Sequence, residues 1–284
     1  MLIDLQLHST YSDGYLTPSE VAGFIAGQKI KVAALTDHNT VGGVDEFKNA
    51  CKKLKIKAIP GMELYVKLRH KRFNLLWFNF NHKDPELHKL LRESQSRRRA
   101  RVRKILKKLK AKNYKVDINK ILDSFNHYIP INHLVDELWL NNRTRIKKEL
   151  HNNFPREDEM IREYFYNKKI GMLHESYINI ERIIKLRKKI GGQLILNHPG
   201  KHNQLQKEFL EKLKKMGIDG LELLSPHHSY GAVMYAQFIA DKLKFITTGG
   251  SDFHRFEGNG YLLQKAHDYF KIDSKFLKSE EIIN

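Results

Sequence analysis

Apolar positions recur along this chain with two periods, and the switches between them outline the elements. In "LIDLQLH" Ile3, Leu5 and Leu7 alternate with Asp4, Gln6 and His8, the period of an extended strand with two distinct faces. "TPSEVAGFIAGQK" then predicts a helix, with Thr17 as N-cap, Pro18 at the first position and Glu20 three residues after the cap. "KVAALTD" reads as a strand with a polar end, "VGGVDEFKNACKKLK" as a second helix and "IKAIPGMELYV" as a further strand. The rhythm returns late in the chain. "NIERIIKLRKKIGG", "LQKEFLEKLKKMGID" and "AVMYAQFIADKL" are helical; "QLILNHPG", "GLELLSP" and "KFITTGGSDFH" are strands running into turns. Alternating strands and helices predict an α/β fold with a parallel sheet or barrel.

The middle differs. Val102, Ile105, Leu106 and Leu109 follow helical spacing, and from Arg92 to Lys120 there are 13 Lys and Arg against Glu93 and Asp117. Further helical pieces follow, such as "INHLVDELWLNN". The reading is an α/β domain in two parts, residues 1–91 and 171–284, with a basic helical insertion at 92–170 that caps it.

Ionisable residues gather where the strands end: His8 and Asp13, Asp37 and His38 in "LTDHNT", Glu63 in "GMELYV", His198 in "LNHPG", Asp252 and His254 in "GGSDFH". In parallel α/β folds the carboxyl ends of strands are where sites are built. One loop histidine means little; five strand ends finishing in His, Asp or Glu point to a metal site. Imidazole with carboxylate suits Zn, Mn or Fe, and Glu63 could bridge two ions. Clustered metals about 3.5–4 Å apart hold the attacking and leaving oxygens of a displacement at phosphorus.

Composition narrows the classes. A chain of 284 residues with 41% hydrophobic content supports a packed core. A single cysteine, Cys51, excludes a disulfide framework and a cysteine-based zinc site. The first residues carry no secretory signal and no apolar run approaches a membrane span, so the expectation is a cytoplasmic protein with no membrane partner. The formal net charge of +19 favours anionic partners, RNA, DNA and nucleotides among them, unless it reflects a general lysine bias.

"HSTYSDG", "TDHNT", "GMEL", "NHPG" and "GGSDFH", in this order and spacing, resemble the polymerase-and-histidinol-phosphatase (PHP) family of metal-dependent phosphoesterases. The resemblance spans nearly the whole chain. It is nearest to the branch with a helical insertion, which includes nucleotide phosphatases and an RNA 5′-3′ exonuclease. It implies a distorted, TIM-like (β/α)7 barrel of seven parallel strands with the insertion as a second part. It also implies a trinuclear site: Asp13, His38 and His254 on one metal, with a catalytic role, His8, Glu63 and Asp252 on a second, Glu63 and His198 on a third. Up to three divalent ions follow, Mn, Zn or Fe.

The sequence departs from the family pattern at three places. Gln6 and Asn74 stand where imidazoles are usual, and amide oxygens are harder, weaker ligands. Ile131 stands where an arginine helps hold phosphate, with His133 retained beside it. Arg98 and Arg101 match arginines that recur in relatives and serve either as phosphate clamps or as a solvated basic face. His227 and His228 serve as leaving-group acid or substrate contacts, or as plain loop residues. Tyr114, Phe125, Tyr128, Trp139 and Tyr164 either stack bases or form core. The expected activity is hydrolysis of nucleotide or oligonucleotide phosphoesters by hydroxide generated on the metals. The alternative is a degenerate relative that binds nucleotides or nucleic acid without turnover.

Overall fold

The computed structural model describes residues 1–201, 204–256 and 271–284. It divides into two compact units, residues 1–89 with 177–284, and residues 90–176.

The first unit begins with β1 (Ile3–Leu7), α1 (Pro18–Gly27), β2 (Val32–Leu35), α2 (Val44–Lys53), β3 (Lys57–Leu68) and β4 (Lys71–Phe78), followed by α3 (Pro85–Ala111), which continues into the second unit. Thr17 closes the capping box at α1: its hydroxyl accepts from Glu20 N, and Glu20 accepts from Thr17 N. The second unit holds α4 (Ile118–Asp123), α5 (Ile131–Leu150), α6 (Glu157–Met160) and a two-stranded ribbon, β5 (Tyr166–Asn167) with β6 (Gly171–Met172). The first unit resumes with β7 (Ile178–Asn179), α7 (Ile180–Ile190), β8 (Gln193–Leu196), α8 (Lys207–Lys215), β9 (Gly220–Leu224), α9 (Tyr230–Leu243) and β10 (Ile246–Gly249).

The main sheet runs β1-β2-β3-β4-β8-β9-β10, with β7 added beside β3. It is mixed, which corrects the expectation of seven parallel strands. β4 is antiparallel to both β3 and β8, while the other neighbours along the path are parallel. The physical reason is connection length. Only Arg69 and His70 separate β3 from β4, with Arg69 at φ +55°, whereas a parallel return needs a dozen or more residues. The reversal matters for the site. β4 starts where β8 ends, so its first residues, including Asn74, lie among the strand-end loops: Asn197 N donates to Asn74 O at 3.0 Å.

β1 is also hydrogen-bonded to the segment after β10. Asp252 N donates to Gln6 O and His8 N to Phe253 O, both at 3.0 Å. Gly250 permits this approach, since a Cβ there would lie 2.5 Å from Gln6 N. All five residues of β1 are buried. Leu7 packs with Val21, Ile25, Leu35, Phe47 and Phe253, while Asp4 and Gln6 are buried on the opposite strand face.

The second unit has its own core, built on Val102, Leu106, Leu109, Leu134, Leu138 and Ile146. Tyr114, Tyr128 and Tyr164 are buried, and Phe125 and Trp139 pack against this core. The three tyrosines are used for packing, which removes them as a base-stacking platform, while Phe125 and Trp139 keep part of their surface exposed. Among the described residues no helix is long and apolar enough to cross a membrane.

Candidate metal centre

The loops that leave β1, β2 and β10 bring two ligand sets together with Glu63, which lies inside the long strand β3 and not at its end, a correction to the expected position. His8, Asp13, His38 and His254 form one, and His8, Glu63 and Asp252 the other; within each set the ligand atoms lie within 4.8 Å of one another. In the first, Asp13 Oδ2 is 3.2 Å from His38 Nε2 and 3.3 Å from His254 Nε2. In the second, His8 Nε2 is 3.3 Å from Glu63 Oε2 and 3.2 Å from Asp252 Oδ1. His8 stands between the sets, its Nδ1 3.3 Å from Asp13 Oδ1 and its ring stacked on His254 at 4.1 Å. The other oxygen of Glu63, Oε1, faces His198 Nε2 at 3.4 Å.

The two amides meet on Glu63. Gln6 Nε2 donates to Oε2 at 3.3 Å and Asn74 Nδ2 to Oε1 at 2.5 Å. Both oxygens of one buried carboxylate therefore serve different neighbours, the arrangement that lets a carboxylate span two positions.

Three further carboxylates lie just behind this set, and each fastens a ligand-bearing loop. Asp37 accepts from Ser9 N at 2.8 Å, Ser9 Oγ at 2.7 Å and Ser12 Oγ at 2.6 Å, fixing the loop between His8 and Asp13. Among the strand-end acids, Asp37 thus turns to the loop and not to the ligand sets. Asp4 accepts from Ser251 N at 3.0 Å and Ser251 Oγ at 2.6 Å, next to Asp252. Glu222 Oε2 accepts from His198 N at 3.1 Å. Two of the ligand positions need such support: His198 has φ +26° and Asp252 φ +52°, a region disfavoured for residues with a Cβ. Sequence reasoning missed Glu222. Its signal was a lone carboxylate inside the apolar strand "GLELL".

Burial opposes charge throughout, and the neighbours decide the outcome. For His8, burial is outweighed by Asp13, Asp252 and Glu63, which hold the imidazolium well above its usual range. His38 is raised in the same way by Asp13 and Glu63. Asp13, Glu63 and Asp252 are held well below the usual carboxylate range against burial, Asp13 chiefly by His38 and His254, Glu63 by His38 and His198, Asp252 by His254 and His227. Glu222 goes the other way: burial, then the charge of Asp252, pushes it well above the usual range. Burial also pushes Asp4 up to about 7 against its hydrogen bonds from Ser251 and Gln6.

The donor set fits divalent cations. Neither ring nitrogen of His8 is hydrogen-bonded although carboxylate oxygens stand close by, and Gln6 Oε1 is buried with no hydrogen-bond partner. Carboxylates and imidazoles turned toward common points, with no thiolate among them, could hold a divalent metal ion.

The remaining candidates are placed as follows. His227 Nε2 is 2.6 Å from Asp252 Oδ2, and Lys201 Nζ is 3.3 Å from the same nitrogen. His228 is committed inside the protein: Nδ1 pairs with Leu223 O at 2.9 Å and Nε2 accepts from Gly200 N at 3.1 Å. Burial lowers its pKa, in keeping with a neutral ring in this bracing role. In the second unit, Arg98 is fully buried; its Nε donates to Ile129 O at 2.9 Å, and Nη1 donates to His174 O at 3.2 Å and pairs with Glu175 at 3.1 Å. Arg101 Nη1 donates to Glu175 O at 2.6 Å. His133 packs edge-on against Phe125 at 5.9 Å.

The chain is 26% identical over 255 residues to a 5′-3′ exoribonuclease of Haemophilus influenzae, covering 88% of this chain and 89% of that one. It is 26% identical over 258 residues to a 3′,5′-nucleoside bisphosphate phosphatase of Chromobacterium violaceum, covering 89% and 87%. The fold is similar to the solved structure of an amidohydrolase from Chromobacterium violaceum, with a TM-score of 0.76 at 24% identity, covering 89% and 88%. The model of the PHP domain matches residues 4–236, and the chain belongs to that family.

Proposed function

We propose that this protein is a metal-dependent phosphoric ester hydrolase acting on nucleotide or oligonucleotide phosphoesters. The observation that carries the reading is Glu63, whose two oxygens face different imidazoles, His8 and His38 on one side and His198 on the other. Two relatives named for RNA and nucleoside bisphosphates, together with the net charge of +19, support a nucleotide substrate.

Asp13, His38 and His254 would hold one ion, and His8, Glu63 and Asp252 a second; His198, with the amide oxygens of Gln6 and Asn74, would complete a weaker third. Bound there, divalent ions supply Lewis acidity toward the phosphoryl oxygens and bring a water molecule's pKa toward neutrality. The chain's own residues do the rest. Lys201, beside His227, would offer its positive charge to the equatorial oxygens as negative charge builds up on them. His227, part-exposed and hydrogen-bonded to Asp252, would pass a proton to the leaving oxygen. Asp37, Asp4 and Glu222 keep the ligand loops in place.

The test is a panel from 3′,5′-bisphosphates to 5′-phosphorylated oligonucleotides, assayed with added Mn. Asp13→Ala and His254→Ala should abolish turnover while circular dichroism stays native. Inertness toward every phosphoester, with salt-dependent nucleic-acid binding that survives EDTA, would replace the enzyme by a binding protein.

A further inference from the structure

A cavity of about 450 Å³ adjoins the candidate metal centre within the first unit, lined by Lys71, Arg72, Asn74, Tyr177, Gln204 and Phe209 among others. Asn74 joins the two places: it lines the cavity and donates to Glu63 Oε1. Two cations stand at the wall, each carried by an aromatic ring. Lys71 Nζ lies 4.4 Å from the centre of Phe209, and the Arg72 guanidinium 5.2 Å from that of Tyr177. Among the described residues no carboxylate ion-pairs with either; Lys71 reaches only the amide of Gln206, at 3.5 Å. Gln204 is 7% exposed, and its Nε2 donates to Arg72 O at 3.1 Å, while its Oε1 is buried with no hydrogen-bond partner.

We infer that this cavity is a second phosphate subsite, which takes the phosphate of the substrate that is not cleaved. The inference rests on the proposed function and extends it from phosphoesters in general to substrates with two phosphates in reach of each other, a nucleoside bisphosphate or a short nucleotide chain. The chemistry selects an anion. Positive charge without a matching carboxylate is what a phosphate pairs with, and guanidinium and ammonium are its usual partners. The rings of Tyr177 and Phe209 are engaged by the cations, so they aim charge and are not bare platforms for a base. Gln204 Oε1, an acceptor, suits a ribose hydroxyl or an exocyclic amino group of the same nucleotide.

The experiment compares wild type with Lys71→Ala/Arg72→Ala and with Lys71→Glu, all at exposed positions where folding should persist. On Mn-loaded protein the readout is kcat/KM for adenosine 3′,5′-bisphosphate divided by kcat/KM for p-nitrophenyl phosphate, which has no second phosphate. The ratio should fall about tenfold in the double variant, and at least as far in the charge reversal. An unchanged ratio overturns the subsite and leaves the hydrolase intact. Calorimetric titration of the same bisphosphate in EDTA serves if wild type turns over neither ester. Binding about tenfold weaker in the double variant then supports the subsite without the enzyme, and equal binding overturns it.

Discussion

Asn74 Nδ2 donates to Glu63 Oε1 at 2.5 Å, from a strand that runs opposite to both of its neighbours. The amide of Asn74 therefore touches the central carboxylate through its nitrogen, which leaves its oxygen as the atom that could face an ion. Asn74→His should exchange that donor for a ring nitrogen able to coordinate. The expected outcome is more Zn or Mn retained per chain after dialysis, and a metal affinity about tenfold tighter, read by elemental analysis and competition with a chromophoric chelator. Unchanged stoichiometry and affinity would mean that Asn74 does not face an ion.

Asp37 carries three hydrogen bonds from the loop that bears His8 and Asp13. Asp37→Ala leaves Ser9 N and two hydroxyls without their acceptor in a buried place, at a cost of about 2–3 kcal/mol. Mn affinity should fall by roughly 10- to 100-fold as the loop relaxes. Asp37→Asn keeps an acceptor oxygen and should lose less of both. Urea unfolding and Mn titration on the two variants separate the effects; a variant that loses stability but keeps its metal affinity would remove Asp37 from the support of the site.

Arg98 tests the difference between a phosphate clamp and a brace. Its guanidinium is buried against the carbonyls of Ile129 and His174 and the carboxylate of Glu175. Arg98→Ala should destabilise the protein by about 3 kcal/mol, because it leaves Glu175 without its buried partner. Thermal unfolding should register the loss. A native Tm with a raised KM would assign Arg98 to substrate instead.

The second unit has a pH signature of its own. Glu149 accepts from Tyr114 Oη at 2.6 Å, Tyr164 Oη at 2.9 Å and Arg145 Nε at 2.6 Å. Burial opposes its charge, but these donors lower its pKa. The stabilisation is therefore present above the unfolded carboxyl value and is lost as pH falls through the folded one. Tyr114 is shifted oppositely: burial and the nearby Glu149 push it up to about 12. Its contribution is complete below the unfolded phenol value near 10 and fades as pH rises from there toward 12. Tm against pH should thus show a plateau with losses at both ends, and Glu149→Gln should flatten the acid limb. An acid limb of the same slope in the variant would place its origin elsewhere.

The ends of β1, β2, β8 and β10, the α1 cap and the ligand candidates at those ends were legible from sequence because they depend on local rules: period, capping and the habit of α/β folds of ending strands in a site; Glu63 was expected at a strand end and lies inside β3. The amphipathic stripe Val102, Ile105, Leu106 and Leu109 likewise announced the core of the second unit. Other features depended on contacts between residues far apart in the chain. The reversal of β4 follows from a two-residue connection whose consequence is visible only when Asn74 meets Glu63. Asp37, Asp4 and Glu222 look like Asp13 and Glu63 in a sequence, since a carboxylate that binds a loop amide and one that faces a ligand cluster are chemically the same group. The surroundings of Arg98, His228 and the buried tyrosines depend on burial and on the groups they reach, backbone carbonyls for Arg98 and His228 and the Glu149 carboxylate for Tyr114 and Tyr164. Local composition determined which groups this protein has; only long-range packing decided which of them face one another, because the distances that set their chemistry join segments far apart in the chain, as in Ser251 and Asp4, separated by 247 positions.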